Sequence, residues 1–215
     1  MKNLLIKEFK LSINPFFLIL PILVGALILI PQWPYFFALM YFGFITVPNV
    51  FSVNNTYGDI QFSALLPIRK RDIVKARFLS IIILEIIHIL FAIVFAIINV
   101  KLYKTGNFLL DTNYAFFGFG FAMYGVFNLA FFPRFYKTAH KYGLATILGS
   151  ITFLLFAGGV ETLILTVDPL KKVLDGFPSD LTWQFVTLGA GIIIFMITTH
   201  IAFKISASRF ERVDL

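Results

Sequence analysis

The chain has no cysteine. That absence removes a disulfide framework, a thiolate metal site and a cysteine nucleophile together. Charge is also scarce: Asp, Glu, Lys and Arg make up 13% of the 215 residues, where a soluble domain carries about 25%. No G-x-x-x-x-G-K-[ST] run occurs, so the loop that cradles nucleotide phosphates is missing, as is H-E-x-x-H. No G-x-G-x-x-G opens a helix after a strand. The three histidines, His88, His140 and His200, fall on separate segments and make a poor metal site. Glu85 and His88 have the E-x-x-H spacing of di-iron bundles, but one copy supplies only two ligands and there is no second. No nucleophile–base pair carries motif support. The chain reads as a non-enzyme.

What abounds is apolar surface. Hydrophobic residues make up 59% of the sequence, with 28 phenylalanines, more than a globule of this length can bury. The fold class expected is all-α integral membrane, with residues 1–215 forming a single transmembrane domain. A spanning helix needs about 20 apolar residues. Six runs qualify: 15–31, 35–53, 78–100, 114–132, 142–157 or 142–166, and 181–203. "PQWP" (31–34) joins the first two, its prolines stopping one helix and opening the next. Pro48 kinks the second run. The fifth is interrupted by Gly158-Gly159. The favoured form ends this span near Ala157 and makes 160–174 a re-entrant or surface helix on the outer side. The alternative is one long helix through Val167.

Cations set the orientation. With the N-terminus in the cytoplasm, fourteen lysines and arginines fall in cytoplasmic segments and four in outer loops, the positive-inside asymmetry. Both termini are then cytoplasmic, and the +7 charge speaks of topology and lipid rather than nucleic acid. Residues 1–14 are expected to lie as a helix in the cytoplasmic interface. Asn3, Lys7, Lys10 and Asn14 form its polar stripe, opposite Leu5, Ile6, Phe9 and Ile13.

Polar residues within apolar runs need partners. Glu85 and His88 share one helical face: either they line a cavity or they satisfy each other by hydrogen bonding. Glu161 caps the re-entrant helix or lines an exit. Asn49, Asn99 and Asn128 read as caps or interhelical contacts. The phenylalanines of 114–132 read as lipid-facing filler, or as a path for amphipathic substrates.

One polar insert stands out. Residues 54–78, "NNTYGDIQFSALLPIRKRDIVKARF", hold Arg69, Lys70, Arg71, Lys75 and Arg77 beside Asp59 and Asp72. A short helix ends at Pro67, and the third span starts with Asp72 as N-cap. Asp59, Leu66-Pro67, Arg69 or Lys70, Ile73-Val74 and Lys75 or Arg77 together resemble the coupling-helix region of ABC-2 type permeases. The six spans, the N-terminal interfacial helix and the outer helix between spans five and six extend the likeness over most of the chain. The small permeases of bacterial peptide exporters, of the phenol-soluble modulin type, look most similar.

The resemblance implies an exporter subunit of the bacterial cytoplasmic membrane that moves amphipathic peptide. Its partners are ABC ATPase subunits, a second permease protomer and membrane lipid. ATP and Mg belong to the ATPase, and this chain carries no cofactor. Tyr57, Gly58, Asp59, Ile60, Gln61, Phe62, Ser63, Ala64, Leu65 and Leu66 are the implied ATPase-coupling residues. Lys7, Lys10, Arg69, Lys70 and Arg71 are the basic contacts beside them. The alternative is a stand-alone proton-coupled transporter or channel using Glu85 and His88.

Overall fold

The computed structural model describes the chain except residues 1, 57, 66, 104–105, 176–180 and 214–215, and leaves aside the side chains of 12, 54, 55, 61, 64 and 65. The structure is 83% helical, without strands among the described residues. Among the described residues, five helices are long and apolar enough to cross a membrane, or six if a bent N-terminal pair counts as one.

Helix α1 (Lys2–Lys7) runs into a π-helical turn, Glu8–Ser12. α2 (Phe16–Gly25) follows, with a 3-10 extension Ala26–Leu29, bent 72° from the first pair member. α2 and its extension are shorter than the run expected at 15–31. Pro21 lies inside the helix and Ile30 is already extended. α3 (Phe36–Tyr41) passes through a π segment, Phe42–Thr46, into α4 (Val47–Thr56). Pro48 has no N–H to give the preceding turn, and the ladder widens just before it.

α5 is the short helix Asp59–Leu65. α6 (Lys70–Leu102) is far longer than the expected 78–100 and spans about 50 Å at 1.5 Å per residue. It starts ahead of Asp72, which therefore sits in the first turn rather than at the N-cap. α7 (Tyr114–Phe135), α8 (Gly143–Thr166), α9 (Asp168–Leu174) and α10 (Leu181–Glu211) complete the order.

α8 runs unbroken through Gly158-Gly159, so the interruption expected there is corrected to the longer form. Two mid-helix glycines cost about 1 kcal/mol each relative to alanine, less than opening backbone hydrogen bonds at membrane depth. Only the separate α9 remains of the surface helix expected over 160–174.

α7 is the central helix, and this overturns the reading of its phenylalanines. Phe116, Phe117, Phe127, Phe131, Phe132 and Phe135 are buried. They pack ring to ring with other helices: Phe78–Phe132 at 3.9 Å, Phe127–Phe153 at 4.4 Å and Phe51–Phe135 at 4.5 Å between centroids. The rings fill the core. Lipid-facing side chains come instead from α8 and α10, where Ile147, Ile151, Leu155, Ile193 and Ile197 are exposed.

Hydrogen bonds define two ends. At one, Lys70 Nζ donates to the Val213 carbonyl (2.8 Å), Arg209 to the Pro133 carbonyl (2.5 Å) and Tyr142 Oη to Ser52 Oγ (3.2 Å). At the other, Gln32 bridges the Gly106 carbonyl and the Phe108 amide, and Asn113 Nδ2 donates to the Leu174 carbonyl. The first, called here the basic end, also holds α1 and α5.

Candidate functional site at the basic end

A charge in an apolar body is tolerated when it is paired and hydrogen-bonded. The basic end gathers two cations and two carboxylates from three segments. Arg77, in the second turn of α6, is 1% exposed, and so is Glu8. Arg77 Nη2 donates to Glu8 Oε1 at 3.1 Å and to Asp59 Oδ2 at 2.7 Å, while its Nε also meets Glu8 Oε2. Lys7 Nζ grips Asp59 from the other side, at 2.8 and 2.9 Å to its two oxygens, and donates to Ser63 Oγ at 2.9 Å. Lys7 also lies 3.2 Å from Glu8 Oε1. Phe51 of α4 lies against the guanidinium, 5.6 Å from centroid to Cζ. A planar fork holding carboxylates of two segments fixes their angle as well as their distance.

Local sequence explains the convergence. The π turn Glu8–Ser12 adds a residue to the turn and shifts the phase of the stripe. At the start of that turn Glu8 faces inward; ahead of it Ile6 is exposed, and Lys7 is drawn onto Asp59 rather than standing on an outer polar face. Gly58 takes φ 60°, the left-handed conformation that glycine adopts at low cost, and the chain reverses there between α4 and α5. Asp59, Ile60 and Ser63 then point into the body, while Phe62 points away at 62% exposed.

Tyr57 and Leu66 fall outside the described residues, as do the side chains of Gln61, Ala64 and Leu65. Of the expected basic contacts, Lys10 and Arg69 are exposed. Lys70 is tied to Val213, and Arg71 stacks 5.7 Å over Phe203 of α10. Glu8 and the role of Arg77 escaped the sequence reading. One signal was available: Glu8 is the only acidic residue ahead of Asp59.

Glu85 and His88 are buried but are joined to different neighbours. Glu85 Oε2 accepts from Asn128 Nδ2 of α7 at 3.2 Å, and Asn128 Nδ2 reaches Thr199 Oγ1 of α10 at 3.2 Å. His88 Nε2–H donates to the Ala38 carbonyl of α3 at 2.7 Å. Asn99 Nδ2 donates to the Ile28 carbonyl at 2.6 Å, an interhelical contact as expected, whereas Asn49 bonds within its own segment. Glu161 Oε2 accepts from the Leu110 amide at 3.1 Å, holding the loop before α7 rather than a helix end.

A body with five apolar helices of membrane length among the described residues defines a multi-pass membrane protein. The sequence model of the ABC-2 family transporter proteins matches residues 3–209, and the chain belongs to that family. Comparisons with curated proteins and with solved structures give no match. Membership makes the chain a permease component of an ABC transporter, not itself catalytic, that pairs with an ABC ATPase.

Proposed function

We propose that the chain is the membrane half of a bacterial peptide exporter, two permease protomers working with two ATPase subunits in the cytoplasmic membrane. The basic end faces the cytoplasm, and α5 is the element on which the ATPase pushes. ATP and Mg bind the ATPase, and the cargo is an amphipathic peptide. The observation that carries this reading is the two-sidedness of α5. Its inner face is fastened through Asp59 and Ser63, and its outer face presents Phe62 at 62% exposed. A protruding aromatic on a fixed support is what a docking contact requires.

Asp59 faces inward, so it is Phe62 that probes docking. Purification of the tagged chain from its host should bring down a soluble ATPase, and Phe62→Asp should lower the recovered ATPase at least about tenfold without changing the elution volume of the chain. Equal recovery from both chains would sink the docking assignment. Amphipathic helical peptides added to the reconstituted complex should raise its ATP turnover.

A further inference from the structure

The ionic cluster does more than seat one short helix. Among the described inward side chains of α5, Ile60 is the apolar contact, while Asp59 and Ser63 are held by Lys7 and Arg77. Directional bonds therefore carry much of the attachment of α5 to the body. The two cations differ in kind. Lys7 is the wetter one, its side chain 17% exposed against 1% for Arg77, and it is a single rotatable point charge. Arg77 belongs to α6, holds Glu8 and Asp59 at once, and has Phe51 against its plane.

α6 continues from Arg77 for seven turns without proline or glycine. Along that length it is bonded to α7 through Glu85, to α3 through His88 and to the end of α2 through Asn99. A displacement entering α6 at Arg77 reaches every one of those contacts.

We propose that Arg77 is a positioning residue: its fork between Asp59 and Glu8 passes displacement of α5 into α6. This inference rests on the reading of α5 as the ATPase-facing element. Removing Arg77 leaves the outer face of α5 and the Lys7 grip in place, so docking survives while transmission fails.

Hydrogen–deuterium exchange on the permease–ATPase complex, with and without trapping by ATP and vanadate, tests this without knowledge of the cargo. In the wild-type complex, trapping should change exchange in both 59–65 and 70–77. In Arg77→Met, ATPase recovery should stay within about twofold and 59–65 should still respond. The response at 70–77 should fall at least about threefold. Arg77→Lys keeps the charge but not the fork, so it should restore only part of that response. A merely structural role for Arg77 would loosen both segments before nucleotide is added and leave the trap-induced difference intact. If Arg77→Met does not accumulate, Arg77→Lys alone decides, and its response at 70–77 should be about halved. A full wild-type response at 70–77 in the deciding variant, or no wild-type response there, overturns the inference. A wild-type chain that captures no ATPase removes the functional reading itself, and the inference with it.

Discussion

Glu85 shows how a buried carboxyl is settled by its neighbours. From the spacing of Glu85 and His88 a shared role follows, yet the fold turns each toward a different helix, and the Glu85 partner is Asn128. Glu85 was legible because an acid inside an apolar run needs a partner. Its partner was not, because α6 and α7 are brought together only by packing. Asn128→Leu strips Glu85 Oε2 of its donor and should cost about 1–3 kcal/mol. Adding Glu85→Leu should recover part of that loss, since an apolar pair leaves nothing unsatisfied. Denaturant unfolding in detergent measures both. A double variant weaker than the two single losses combined would refute the pairing. Glu8 and Arg77 obey the same logic with charges, each meeting a partner from another segment.

At the level of elements, helix identities were readable and helix contacts were not. The runs at 35–53, 114–132, 142–166 and 181–203 all correspond to helices, because apolar length alone demands them. The first turns of α6 were legible from Asp72 as a helix start, whereas the extra turns of α10 beyond its apolar run were missed, since helicity there is decided by packing at the basic end. Glycine shows the same divide. Gly118 of α7 packs against α10 so closely that a Cβ would sit 2.5 Å from the Thr187 carbonyl oxygen and 2.8 Å from Leu188 Cα. Around Gly159 a Cβ would meet nothing within 4 Å. Gly118→Val should therefore separate α7 from α10 and lower the thermal midpoint in detergent by several degrees, about 2–4 °C per kcal/mol. Gly159→Ala should leave the midpoint unchanged or raise it by the helix-propensity gain of about 1 kcal/mol. The opposite ranking would refute the close approach of α7 and α10 at Gly118.

Across the whole molecule the two ends are built differently. The basic end joins opposite charges, whereas the other end places carboxylates on backbone amides: Asp111 Oδ1 accepts from the Asn107 amide at 2.7 Å, and Asp175 Oδ1 from the Asp111 amide at 2.8 Å. Burial pushes both carboxyls above the usual carboxylate range, and for Asp111 the charge of Asp175 adds to this; the amide bonds and Lys171 pull the other way. A carboxyl whose pKa is raised by folding binds its proton more tightly in the folded state. Its stability contribution is present below the ordinary pKa and is lost as pH rises through the raised value. Amides 106–113 should therefore be better protected at mildly acidic than at neutral pH, once intrinsic exchange rates are corrected for. Asp175→Asn should flatten that dependence. Protection that climbs with pH would contradict the sign.

The sequence by itself determined that the chain is helical and membrane-embedded, where most of its long helices run, and which short segment is polar. These follow from transfer energies summed along a local stretch. Only the tertiary structure decided that α7 is the centre, that Asp59 faces inward and that Lys7 and Arg77 hold it. The physical reason is that a buried charge is stabilised by partners far away in the chain, and no local pattern specifies which partners those are.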